Sequence, residues 1–182
     1  SSENIATEEF YDKFYKEFFN KFNNFENLDK DWIDYKISIA KDIEKIVENK
    51  SSILSIGCGI GIVEDYLIRQ NTGVQITAIE PSKNVSKWLK ENPNIELHDG
   101  YFPQCIKKGI QFDFAYANGV DYVFNEEEYL TFLKSVVDYG ITDFLIISSS
   151  SYNFVTLAKQ FVKSVLELFG IRKKTDKGQF WG

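Results

Sequence analysis

The sequence predicts an α/β protein: a doubly wound, mostly parallel sheet with a helical cap at its N-terminus. Three observations carry that expectation. From residue 51 onward, short apolar runs alternate with segments of helical period, the order of successive βαβ units. The runs are apolar throughout rather than alternating with polar residues, as befits strands covered on both faces. A glycine-rich loop, Gly57-Cys58-Gly59-Ile60-Gly61, leaves the first run and opens a helix.

The cap comes first. Between Glu8 and Phe22, apolar residues recur at Phe10, Phe14, Phe18 and Phe22 and at Tyr11, Tyr15 and Phe19, the stripe of an amphipathic helix. A second helical pattern lies beyond an Asn-rich break, with Trp32, Ile39, Ile43, Ile46 and Val47 on one side and Asp31 as the expected cap. The strands are expected at Ile53 to Ile56, Val74 to Ile79, Ile95 to Leu97, Phe112 to Ala117 and Phe144 to Ile147. Helices are expected from Ile62 to Ile68, from a cap at Ser82 through Trp88 and Leu89, and from Glu126 to Val137. Glu126, Glu127 and Glu128 place acids in the first turn of that last helix, where the dipole favours them. A final helix is expected over Asn153 to Phe169.

Composition narrows the function. The chain has 182 residues, 43% of them hydrophobic and 16% aromatic, too rich in core-forming side chains for disorder. A chain of this length buries roughly 70% of its unfolded surface, enough for one sizeable core. With 27 acids against 21 bases, the net charge of -6 disfavours a nucleic-acid partner, whose phosphates need a basic face. No apolar stretch approaches the length of about 18 residues that a membrane-spanning helix needs. Residues Ser1 to Phe10 carry three glutamates and no apolar run, unlike a secretory signal. Cys58, Cys105 and the single histidine, His98, form no cluster with metal-ligand spacing, so no metal is expected. These features together predict a reduced, cytoplasmic protein. Phe180 and Trp181 beside the terminal Gly182, and the missing initial methionine, suggest a chain that continues further.

The glycine loop stands where such a loop has a mechanism: Gly57 for the tight turn, Gly59 for close approach of a ligand, Gly61 for the helix start. Its spacing is GxGxG, whereas a dinucleotide fingerprint would need its third small residue at Ile62. Glu80 ends the second strand, where a carboxylate can accept both ribose hydroxyls of a nucleoside.

Over Ser51 to Ser150 these landmarks resemble the class I S-adenosylmethionine-dependent methyltransferases of small-molecule type, which implies a Rossmann-like fold. Gly57, Cys58, Gly59 and Gly61 resemble the family's first motif, which holds the methionine end of the cofactor. Glu80, Pro81 and Ser82 resemble the ribose-binding acid and the residue packing on adenine. His98-Asp99-Gly100-Tyr101 resembles the segment whose acid bonds the adenine amino group. Asn118 to Val123 resembles the segment facing the sulfonium and the methyl acceptor, with Asp121 and Tyr122 where relatives place a catalytic pair. Tyr11 and Tyr15, one turn apart, resemble the tyrosine pair of a lid helix that closes over the cofactor. The resemblance thus implies a cap or lid over residues 1–50 and a cofactor-binding catalytic domain over 51–182, its closing antiparallel strands incomplete.

The match departs from the family pattern at one position. The acid that commonly stands two residues before the first glycine is Ser55 here, which leaves one contact to the cofactor's amino group unassigned.

Transfer from a sulfonium needs alignment more than acid–base help, and a base only where the nucleophile must lose a proton. Asp121 is the candidate for that role; His98, beside the adenine segment, is expected at the cofactor edge or in the framework. Asn118-Gly119-Val120-Asp121 lacks the prolines of amino-methyltransferases acting on DNA bases, and Cys105 has no neighbouring proline suited to cytosine chemistry. The expected acceptor is therefore a small or carrier-linked molecule, methylated on oxygen. The ending Gly178-Gln179-Phe180-Trp181-Gly182 resembles bacterial methyltransferases of surface-polysaccharide pathways. Two rivals share some of these features. An NAD(P)-dependent oxidoreductase has the same strand, loop, helix and acid, but different glycine spacing and a Tyr-x-x-x-Lys pair absent here. A non-catalytic partner keeping the fold for assembly would expose the stripe of Phe10, Phe14 and Phe18 as an interface.

Overall fold

The computed structural model describes residues 8–70, 73–82, 85–90 and 92–148, with side chains for all but 8–10 and 122. In chain order the helices and strands are α1 (Glu8–Lys21), α2 (Lys30–Val47), β1 (Ser52–Ile56), α3 (Ile62–Arg69), β2 (Gln75–Glu80), β3 (Ile95–Asp99), β4 (Phe114–Asn118), α4 (Glu126–Tyr139) and β5 (Phe144–Ile147), with short 3-10 turns at Phe25–Asn27 and Asp121–Val123. The last expected helix, from Asn153, lies outside the described residues.

All five strands are parallel, in the order β3-β2-β1-β4-β5. The chain therefore runs outward from β1 to β3, returns to the centre, and runs outward the other way through β4 and β5. That reversal places a topological switch point between β1 and β4, where such sheets bind ligands beyond the carboxyl ends of their strands.

The strand pleat distributes the core. Ile53 and Tyr116 face one side of the sheet, where Ile39, Ala40, Ile43 and Val47 of α2 and Val63 and Leu67 of α3 cover them. Leu54, Ile56, Ala115 and Ala117 face the other side, against Phe132 and Val136 of α4. Each fully buried aliphatic side chain of this kind stabilises the fold by roughly 1.5–3 kcal/mol. The second half of α2 thus belongs to the sheet's own core, while the first half joins α1. There Phe18 packs edge-on against Trp32 at 6.0 Å and lies 6.1 Å from Trp88. The phenylalanine stripe is half-buried packing at Phe14 and Phe18, not an open surface.

Local chemistry sets the boundaries. Asp29, not Asp31, caps α2: its Oδ1 accepts the Trp32 N–H at 3.2 Å, and Asp31 sits inside the first turn. An N-cap accepts from a residue two or three positions on, so the earlier acid is the better placed. Asn125 and Glu128 form a capping box at α4, each side chain bonding the other's backbone N–H at 2.9 Å. Strand β4 begins at Phe114 rather than at Phe112. Just before it, the Asp113 carboxylate turns back to take both N–H groups of Ser51 and Ser52 and the Ser51 hydroxyl.

Candidate functional site

The segment after β2 departs from expectation in a way that builds the site. Where the sequence predicts a helix capped by Ser82, the described residues form successive turns, with Val85 N–H on Ser82 O and Leu89 N–H on Ser86 O. The Ser82 N–H is drawn to Glu80, whose Oε1 accepts it at 2.9 Å. Glu80 Oε2 accepts the Gly59 N–H, also at 2.9 Å. A buried carboxylate must find donors, and these two amides supply them. Burial still pushes the Glu80 carboxyl above the ordinary glutamate range, with the amide bonds opposing and the Glu64 charge adding to the rise.

The loop after β1 is held from several sides. Both Gly57 and Cys58 donate their N–H groups to Ile79 O, at 2.9 and 3.0 Å. A methyl group on Gly57 would stand 2.5 Å from Val120 Cγ1, so the glycine lets the β4 loop close on the β1 loop across the switch point. Gly61 caps α3 at φ 86°, and a methyl there would meet Leu89 Cδ1 at 2.2 Å. At Gly59 the neighbour is α1: the corresponding position lies 3.7 Å from Tyr15 Oη. Tyr11, also half-buried, stacks on Tyr15 with ring centroids 6.2 Å apart, so of the two tyrosines it is Tyr15 that α1 brings to the glycine loop.

The remaining expected residues stand along the same edge. Asp99 pairs with Glu80 in the β2–β3 register, and Gly100 donates its N–H to Glu80 O at 3.1 Å. Tyr101 beside them is exposed, and Pro81 is half-buried. His98 bonds Glu96 at 2.9 Å. Asn118 ends β4 opposite Ile147, and Gly119 N–H bonds Ile147 O at 2.8 Å. Asp121 accepts the Ser148 hydroxyl, tying the loops after β4 and β5. Tyr122 lies in the same 3-10 turn. Among the described residues no group of His, Cys, Asp and Glu is placed to hold a metal, and no helix is long and apolar enough to cross a membrane.

One constellation escaped the sequence. Glu64, in the first turn of α3, is 1% exposed, and its Oε1 accepts the Ser55 hydroxyl at 2.5 Å and the Tyr116 hydroxyl at 2.6 Å. Among the described residues its Oε2 has no hydrogen-bond partner. Burial raises the Glu64 carboxyl above its usual range; the two hydroxyls and the nearby charge of Lys36 partly offset that. Burial and the Glu64 and Glu80 charges hold the Cys58 thiol well above its ordinary value, which disfavours the thiolate. The signal available was a glutamate between Val63 and Leu67 on the inward face of α3, three residues past the last loop glycine.

The sequence matches the family described as Methyltransferase domain over residues 8–146. The chain belongs to that methyltransferase-domain family. Its fold is shared with the plantazolicin methyltransferase BpumL in complex with SAH, at TM-score 0.54 and 17% identity over 70% of this chain and 48% of that one. It is shared also with the methyltransferase domain of bacterial CtHen1-C, at TM-score 0.53 and 15% identity over 71% of this chain and 82% of that one. The chain thus spans about half the length of BpumL. No curated protein matches the sequence. The sheet order and the acid at the end of β2 are shared with nicotinamide enzymes, so it is the family match and the GxGxG spacing that favour a methyltransferase over one of those.

Proposed function

We propose that this methyltransferase-domain chain transfers the methyl group of S-adenosyl-L-methionine to an oxygen of a small or carrier-linked acceptor. The observation that carries the proposal is the joining of Glu80 to Gly59 at the carboxyl edge of β2 and β1. A nucleoside laid on that edge meets a carboxylate for its ribose and a glycine without a side chain for its close approach. The cofactor supplies a methyl group already activated by the sulfonium charge.

The chain's own residues then have separable tasks. Glu80 accepts the ribose hydroxyls on lone pairs left over from its two amide bonds. Pro81, Asp99, Gly100 and Tyr101 frame the adenine beside β3, with Asp99 taking its amino group. Gly57, Cys58, Gly59, Gly61 and Asn118 surround the opposite end. Tyr11 and Tyr15 close from α1 and exclude water, making residues 1–50 a cap on the domain formed by 51–182. Asp121, oriented by Ser148, lies beyond β4 where it can take the proton of an acceptor hydroxyl, with Tyr122 beside it in the chain. Alignment of this kind supplies roughly 7–11 kcal/mol of barrier reduction.

The acceptor is proposed to be a sugar, phosphate-type or carboxylate oxygen of a cytoplasmic surface-polysaccharide precursor, supported by the proline-free turn after β4 and the ending at Gly178 to Gly182. No nucleic-acid partner is proposed, given the acidic balance. Thermal protection tests the reading. S-adenosylhomocysteine at 100 times its dissociation constant adds about 2.7 kcal/mol of stability, and NADH at equal concentration adds none. The reverse pattern would turn the assignment to an oxidoreductase.

A further inference from the structure

The proposed transfer makes no use of Glu64, whose arrangement is unfavourable for a merely structural group. One carboxylate oxygen is saturated by two hydroxyls, while the other is buried with no partner among the described residues. A buried acceptor left unmade costs roughly 1–3 kcal/mol, more when charged. Lys36, half-buried on α2, is near enough for its charge to act on Glu64, yet it donates no hydrogen bond to Oε2.

Position gives this orphan a direction. Ser55, which holds Glu64, is two residues before Gly57, and Glu64 itself is three after Gly61, so the carboxylate lies behind the glycine loop from both sides. Its charge is felt at the Cys58 thiol in the middle of that loop and at Glu80. With the ribose on Glu80 at β2 and the base toward β3, the other end of the cofactor extends along the sheet toward β1 and β4. That end carries a positive α-ammonium, and β1 offers it only a serine at position 55.

Resting on the proposed cofactor, we infer that Glu64 supplies the counter-charge for the ammonium of its methionine end, delivering from helix α3 the carboxylate that β1 lacks at Ser55. Ser55 and Tyr116 hold its Oε1, which leaves the buried Oε2 as the acceptor for that ammonium.

Calorimetric titration with two ligands tests this. S-adenosylhomocysteine carries the amino-acid end; 5'-methylthioadenosine lacks it and keeps the ribose and base. Glu64→Gln should weaken the first by about tenfold or more and leave the second within about twofold. Equal weakening of both would reduce Glu64 to a support of the loop, and no weakening of either would remove it from the site. If the wild-type chain binds neither ligand, the proposed function fails rather than this assignment. Should Glu64→Gln not fold, a crystal structure of the wild type with S-adenosylhomocysteine decides. An ammonium within about 4 Å of the Glu64 carboxylate upholds the inference, and one anchored elsewhere overturns it.

Discussion

Gly59 N–H donates to Glu80 Oε2 at 2.9 Å, joining residues 21 apart in sequence at the carboxyl ends of two neighbouring parallel strands. The loop proposed to lie close to the cofactor and the acid proposed to grip its ribose are therefore one mechanical unit. Disturbing either one moves both.

Replacing Glu80 with alanine removes the proposed ribose acceptor and frees the Gly59 and Ser82 amides together. Affinity for S-adenosylhomocysteine should fall by about tenfold at least, as a lost charge-assisted hydrogen bond requires. Calorimetry on the folded variant checks this, and an unchanged dissociation constant would take Glu80 off the ribose.

Gly61→Ala should be destabilising for two reasons that can be separated. The φ of 86° strains any L residue, and the added methyl runs into Leu89. A loss of about 2 kcal/mol or more in urea unfolding is expected. In the Gly61→Ala, Leu89→Ala double variant the two losses should not add, because the clash disappears while the backbone strain remains. Strict additivity would mean that the two residues do not meet.

The pH dependence arises from two opposed groups of acids. Glu64 and Glu80 have carboxyls raised by burial, so the folded chain holds protons that the unfolded chain has released. Stability of the ligand-free chain should therefore rise as pH is lowered from neutral toward the ordinary glutamate value of about 4.3. Asp113 is lowered by its three bonds to Ser51 and Ser52, so its contribution is present above the ordinary aspartate value and lost only as pH falls through its own depressed one. Thermal melts between pH values of about 4.5 and 7.5 should show the first trend, and Glu64→Gln should flatten the slope. An unchanged slope in Glu64→Gln would show that Glu64 does not contribute to it.

Much of the fold was legible in the sequence because it rested on local patterns. Apolar runs ending in glycine or an acid marked β1 and β2, and the chain of alternating elements forced a parallel sheet. The three glutamates from Glu126 to Glu128 marked the start of α4. Two features were not local. The Ser82 N–H is taken by Glu80, a carboxylate that the fold has buried, and no window around Ser82 reveals that bond. The Ser55, Glu64 and Tyr116 cluster joins β1, α3 and β4, and only the sheet's return to β4 beside β1 brings Tyr116 within reach.

Asp121→Asn should lower turnover by about a hundredfold if the carboxylate takes a proton, with cofactor affinity nearly unchanged. Ser148→Ala, which removes the donor orienting Asp121, should lower turnover by less and shift the pH profile. Single-turnover kinetics beside calorimetry separate these effects, and equal losses in turnover and affinity would move Asp121 to the cofactor.

The most direct test of the central claim is calorimetric titration of the purified, folded chain with S-adenosyl-L-methionine, with NADH as control. Binding of the sulfonium cofactor alone, with a dissociation constant of roughly micromolar order, is the predicted result. Binding of NADH alone, or of neither by a folded sample, would contradict it.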